Sequence, residues 1–260
     1  MAGISLDGTG YGTDGTAWGG EWIILDGDLT WQRVAHLEPI QLVGAEQAVR
    51  EPWRVLCAAL ATQRRTDLVS RLPICNLVEA EQLATVARLA GERSWPLATG
   101  AGRIFEAAGA LLGLVRRNGW EGEAAVRLES VAGDEEAEPW PEVLLDDPTQ
   151  LPSSRLLLAA AERVTAGEAP HAVAAGFHAT FCRLACEITA HVLRPPSVVA
   201  LGGGCMVNRL LLSGLQAGLG ECGFEPLAAE QVPPGDGGLS YGQLVLATIG
   251  IAEGREIRQL

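Results

Sequence analysis

The stretch LDGTGYGTDGTAWGGE, residues 6–21, decides how the chain is read. Positions 7–20 hold six glycines, three threonines and two aspartates, far more than a simple turn requires. Glycine lets backbone come close to a phosphate, and hydroxyls and amides can hold its oxygens. Asp7 or Asp14 could carry a cation that neutralises the phosphate. The same composition also suits a glycine-rich hairpin connection. GISL enters this loop, placed at 8–20. EWIIL and LTWQRVAHL then flank Asp26-Gly27-Asp28, a turn between two strand-like runs. The first 37 residues therefore read as β structure.

Two more glycine turns follow strand-like runs. SVVAL leads into Gly202-Gly203-Gly204-Cys205-Met206-Val207-Asn208 and a helix over 206–218. A dinucleotide fingerprint fails here: its third glycine would be Val207, and Glu225 begins its strand where the acid should end one. A nucleoside site remains, with Asn208 bonding a base or ribose; a tight packing turn is the plainer alternative. EPLAA is a short strand, and Pro233-Pro234-Gly235-Asp236-Gly237-Gly238 opens a last helix over 236–250. Asp236 is placed either as a helix cap or, between glycines, as a metal ligand.

Between these turns the pattern is helical. Helices are expected over 45–62, where Pro52 would start or bend a helix, over 79–91, and over 101–117 with Ile104, Phe105, Ala108, Leu111, Leu112 and Val115 on one stripe. Ser153 can cap a helix to about 166, and 170–193 is the longest. Residues 129–147 carry eight acids and no base and read as a solvated loop. His178, Cys182 and Cys186 share one helical face, which suits packing better than a soft metal. Arg103 and Glu106 are spaced as an i,i+3 ion pair, or Arg103 faces phosphates.

Composition excludes several function classes. The 260 residues contain 19 arginines and no lysine. A P-loop and a pyridoxal Schiff base both need lysine. A net charge of −13, mostly from the acidic stretch, speaks against nucleic acid as partner. Six scattered cysteines form no CxxC pair, no signal pattern opens the chain, and no run is long enough to span a membrane. The expectation is a cytoplasmic protein without membrane or nucleic-acid partners.

Six strings in order carry a resemblance: LDGTGYGTDGTAWGGE at 6–21, AVREPWR at 48–54, GAGRIFEAAGALLGL at 100–114, EGEAAVRLE at 121–129, LGGGCMVNRLLL at 201–212 and VPPGDGGLSYGQ at 232–243. Together they resemble the C-terminal carbamoyltransferase part of the HypF family of nickel–iron hydrogenase maturation proteins. That family sits with threonylcarbamoyl-transfer proteins, sugar kinases and heat-shock ATPases in the actin-like (ASKHA) superfamily. The resemblance implies a helix-rich α/β fold. It implies a loop for phosphates or acyl group at Asp7, Gly8, Thr9, Gly10 and Tyr11. It also implies nucleoside contacts from Glu106, Gly122 and Asn208, and a divalent metal (zinc, iron or magnesium) on Asp236. The ligand would be ATP or AMP in the form of carbamoyl-adenylate. The carbamoyl group would pass to the C-terminal cysteine of a HypE partner, on the route to the hydrogenase cyanide ligand.

The sequence departs from the family at its start. Its strings begin at a strand that the family precedes with further strands and a histidine helix, and His36, His171, His178 and His191 match none of those histidines. The first lobe is therefore expected to be incomplete: 1–130 as its remainder, 131–152 as an acidic loop, 153–252 as a second lobe, and 253–260 as a tail. A second polypeptide carrying the histidine helix and the adenylating domain would complete it. Two other readings accompany this one: a non-catalytic truncated paralogue that binds nucleotide or partner, and an O-carbamoyltransferase acting on a small molecule.

Overall fold

The structure is a computed structural model, and it describes residues 1–27, 30–91, 95–134, 136–195 and 197–252. Asp28 of the expected turn and the tail 253–260 lie outside the described residues. Among the described residues a single mixed sheet organises the chain. β1 (Ala2–Tyr11) pairs antiparallel with β2 (Ala17–Leu25), and β2 with β3 (Trp31–Leu37). Ala2, Ile4 and Leu6 alternate inward along β1, as a strand with one face on a core must. The glycine loop is shorter than expected. Both strands run into it, and only residues 12–16 turn. The β1–β2 register shifts between Leu6 and Gly10, where the glycines begin.

A short β4 (Ile40–Gln41) precedes the first helices. The expected helix at 45–62 is broken at Glu51–Pro52 into α1 (Glu46–Arg50) and α2 (Trp53–Thr62), because proline starts a helix better than it continues one. Two 3₁₀ turns, Thr66–Arg71 and Pro73–Asn76, lead to α3 (Ala80–Leu89). Then come β5 (Leu97–Ala98), α4 (Ala101–Leu111) and α5 (Glu123–Ala132). α4 was expected to reach 117 but ends at Leu111, and Gly113 takes a left-handed φ of 71° just beyond. Every residue of α4 is buried, so it is the central helix of the core.

The acidic stretch is not simply solvated. Its first four residues belong to α5, and Trp140 and Val143 are buried. The Trp140 N–H donates to Thr180 Oγ1 at 2.8 Å, pinning the loop to the long helix. β6 (Gln150–Leu151) then pairs with β3 and leads to α6 (Ser153–Thr165). Ser153 does not cap that helix. The Glu38 carboxylate does the work from across the sheet, accepting from Ser154 N and Oγ at 2.8 and 2.6 Å. α7 (Pro170–Val192) follows. After it come β7 (Val198–Gly202), a 3₁₀ turn at Gly204–Val207, α8 (Arg209–Glu221), β8 (Glu225–Ala228) and α9 (Asp236–Ala252). Cys182 and Cys186 of α7 pack onto Gly214 and Gly218 of α8. A Cβ at either glycine would sit 2.8 Å from sulfur, so the stripe is a helix–helix seam. No helix among the described residues is long and apolar enough to cross a membrane.

The sheet joins the two ends of the chain. β7 pairs parallel with β1, Val199 opposite Ala2, and β8 extends the same sheet, giving the order β3-β2-β1-β7-β8 through its centre. Residues 1–37 and 198–228 therefore share a sheet. The helices between them are an excursion from one side of the sheet back to its middle.

Candidate functional site

The three glycine turns meet at the ends of β1 and β7. Gly203 has a φ of 95°, and a Cβ there would lie 2.1 Å from Leu6 O, so only glycine lets the second turn sit on the first strand. The Gly203 N–H donates to Pro234 O at 2.8 Å, joining the second turn to the third. The first turn is held from beneath by buried Glu21. Its Oε2 accepts from the Gly19 and Gly20 N–H groups at 2.7 and 2.6 Å, and its Oε1 from Thr99 Oγ1 and from Arg33 Nη2. Arg33 also bonds Asp14 and stacks on Trp18 at 4.3 Å. Thr16 Oγ1 donates to the Asp14 carboxyl, and with Trp18 and Arg33 this lowers its pKa to about 2. The second half of the glycine stretch is thus a braced hairpin, and Asp14 is committed to it.

Beside the turns lies a cavity of about 350 Å³. Asp7 and Gly8 reach it from β1, Glu106 from α4, Gly122 from the start of α5, and Asn208 from the start of α8. These five expected site residues come together from four separate segments. Thr9 faces a neighbouring cavity of about 670 Å³ with Arg50, Arg103 and Arg117. Gly10 and Tyr11 reach neither: they pair with Trp18 and Ala17, and Tyr11 is 91% exposed. Asp236, in the first turn of α9, shares a third cavity of about 390 Å³ with Asp7. Two carboxylates suit a hard divalent cation, but they make only part of a coordination sphere. Among the described residues no three His, Cys, Asp or Glu side chains gather as a ligand set. The donors present therefore do not by themselves fit a bound metal.

The α4 side of the cavity is charged. Arg103 Nη1 lies 2.9 Å from Glu106 Oε2, and both side chains are almost wholly buried. Asn118 Nδ2 donates to Glu106 Oε1 at 2.8 Å. Burial nevertheless outweighs Arg103 and Asn118 and pushes the Glu106 carboxyl up to about 7. Arg103 Nη1 also donates to Val49 O at 3.2 Å, and its Nε is buried with no partner among the described residues. The ion pair foreseen from the i,i+3 spacing is thus a buried one, not a surface pair.

Sequence reasoning missed three residues here. Trp120 forms part of the rim; its signal was the Gly119-Trp120-Glu121-Gly122 run, glycines on both sides of an exposed aromatic. Cys205 lines the cavity, with burial raising its thiol to about 12, so it offers no thiolate at neutral pH. His178, read as packing, contacts Asn208 directly.

Residues 3–243 match the family model described as carbamoyltransferase, Kae1-like domain, second subdomain. The chain belongs to the HypF carbamoyltransferase family. It is 36% identical over 246 residues to carbamoyltransferase HypF of Rhizobium leguminosarum bv. viciae, covering 94% of this chain and 31% of that one. It is 36% identical over 257 residues to a carbamoyltransferase HypF homolog of Cupriavidus necator, covering 95% and 65%. A full-length HypF solved in a phosphate- and nucleotide-bound form superposes with a TM-score of 0.84 at 30% identity, over 96% of this chain and 33% of that one. T. kodakarensis HypF gives 0.83 at 26%, over 97% and 34%. The chain spans about a third of the full-length HypF proteins it matches. The resemblance and the α/β, actin-like fold class are borne out. The matched subdomain runs from β1 past β8, in keeping with one sheet across both ends of the chain.

Proposed function

We propose that this HypF-family chain holds the AMP part of carbamoyl-adenylate while the carbamoyl group passes to the C-terminal cysteine of a HypE-like partner. The convergence of Asp7, Gly8, Glu106, Gly122 and Asn208 on one cavity of about 350 Å³ carries the reading. That volume suits a small ligand held by a few placed polar groups. In the reaction the partner's thiolate adds to the carbamoyl carbon, the bond from that carbon to the phosphate oxygen breaks, and AMP leaves with the electron pair. The step needs positioning and donors for the leaving phosphate, and no nucleophile from this chain. A Cys205 thiol raised to about 12 agrees with that division of labour.

The glycine-turn backbone and buried Arg103 are the groups we assign to the anionic side, and Glu106 and Asn208 to the nucleoside. Asp7 and Asp236 would begin a divalent-metal site whose other donors come from another segment or from a second polypeptide. We place the reaction in the cytoplasm, where a thiolate acceptor and six unbridged cysteines persist. The thiocarbamate product would then feed the hydrogenase cyanide ligand.

Carbamoyl-adenylate, a HypE-like partner and the other HypF domains supplied in trans test this. Mass spectrometry should find a carbamoylated C-terminal cysteine, and Asp236→Ala should abolish it. Asp236 is exposed at a helix start, so a loss there does not come from unfolding. Partner binding without transfer by the unmodified chain would reject the catalytic reading.

A further inference from the structure

Two contacts fix which way the Asn208 amide points. Its Oδ1 accepts the Leu211 N–H at 2.9 Å. A backbone N–H can only donate, so this contact sets which end of the amide is oxygen. Its Nδ2 lies 3.0 Å from His178 Nε2. The other ring nitrogen, Nδ1, lies 2.8 Å from Ala174 O. A carbonyl can only accept, so Nδ1 carries the ring proton. Burial keeps the imidazole neutral, with its pKa pushed down to about 4. Nε2 is then bare and accepts from Asn208. Both ends of the relay are backbone groups of fixed polarity, so each hydrogen between them has one allowed place. Phe105, its ring 5.2 Å from the imidazole, and Phe177, at 6.4 Å, pack against the His178 ring.

We propose that His178 is a positioning residue of the nucleotide cavity: its bare Nε2 holds Asn208 so that the amide offers the ligand an N–H donor, and the site thereby selects a hydrogen-bond acceptor at that point. This rests on the nucleotide reading above. The amide oxygen is engaged at the start of α8 and one amide hydrogen is engaged by His178, which leaves the second amide hydrogen for the ligand. A ribose hydroxyl oxygen or the purine N7 has the required polarity.

Calorimetry on the 260-residue chain with AMP, 2′-deoxy-AMP, 3′-deoxy-AMP and 7-deaza-AMP tests the ligand half. The unmodified chain should bind one analogue, the one lacking the selected acceptor, about tenfold more weakly than AMP. His178→Leu should weaken AMP by about tenfold and remove the discrimination. His178→Gln, whose Oε1 can accept from Asn208, should restore most of both. Thermal melts establish which variants fold; if His178→Leu does not, His178→Gln and Asn208→Asp carry the test, the latter predicted to lose at least tenfold. No discriminated analogue, or discrimination unchanged in His178→Leu, overturns the proposal. Long-range nitrogen-15 spectra of His178 at pH 7 test the relay without any ligand. A neutral ring protonated at Nδ1 supports it, and a proton on Nε2 overturns it. If the spectra are as expected but the unmodified chain binds no AMP, the nucleotide reading falls and takes the ligand half with it, while the relay stands.

Discussion

The two walls of the cavity solve the same problem in opposite ways. On the α4 side, Arg103 and Glu106 bring full charges into the core, with Arg103 Nε left unpaired. On the α7–α8 side, His178 and Asn208 are neutral, and each faces a matching donor or acceptor. Charge in a buried place is expensive unless its partners stay in place, whereas a matched neutral chain holds its geometry without that liability. The charged wall should therefore respond to pH, to mutation and to a bound anion. The neutral wall should hold its shape across the physiological range.

The strongest way to break this contrast is to remove one charge. Arg103→Met leaves Glu106 buried without its cation and takes away the bond to Val49 O. We expect a loss of about 4 kcal/mol in urea unfolding. Arg103→Met with Glu106→Gln should recover most of it, because a neutral pair has no charge to strand. A double variant as unstable as the single one would show that Arg103 acts through packing and not through charge.

Second in size is a pH effect. The Glu106 carboxyl is raised from 4.5 to about 7 by burial, so the folded state holds its proton longer than the unfolded state. Stability contributed by the protonated form is complete below about 4.5 and is lost as pH rises through 7. Unfolding midpoints of the unmodified chain and Glu106→Gln should therefore diverge between pH 4.5 and 8, in favour of glutamine, by up to about 3 kcal/mol. A constant difference across that range would mean that Arg103 keeps Glu106 ionised throughout.

The neutral wall should be less sensitive. Asn208→Ala removes the cap of α8, about 1 kcal/mol, and leaves His178 Nε2 without a donor, about 1 kcal/mol more. The sum of about 2 kcal/mol should not vary between pH 6 and 8, since His178 titrates near 4. A pH-dependent loss in that window would put a charge on the wall described here as neutral.

How much of this could be read in advance follows from distance along the chain. β1, β2 and β3 were legible because short strand-like runs are separated by turn residues close in sequence. The two-residue strands β4, β5 and β6 carry no such signal, and neither does the pairing of Ala2 with Val199, which spans about three quarters of the chain. No local pattern therefore signals that the two ends of the chain share a sheet. Asp7, Asn208 and Asp236 stood out because each is next to a glycine turn, and their identification leaned on ordered family strings. His178 stands out only as part of a stripe with Cys182 and Cys186: among Phe177 and Phe181 it reads as packing, and its partner Asn208 lies 30 residues away. Burial was equally invisible in Arg103 and Glu106, since i,i+3 spacing is the same on a surface helix as on α4.

The smallest effect concerns how the walls are joined. Glu129, on α5 with the charged wall, accepts the Arg209 N–H at 2.9 Å, the first residue of α8 with the neutral one. An acid at a helix start also meets the positive end of the helix dipole. The contact is exposed, so Glu129→Ala should lower stability by only about 0.5 kcal/mol. Its consequence for binding should be out of proportion to that. Glu129 lines the cavity mouth, and without it α5 and α8 lose a polar tie just where a nucleoside would enter. If the neutral wall is held by the His178 relay alone, AMP affinity measured by calorimetry should remain unchanged in Glu129→Ala. If the two walls act as one frame, affinity should fall several-fold while the melting temperature barely moves. We expect the second outcome, because the start of α8 carries Asn208, and any tilt of that helix moves the amide that His178 aligns.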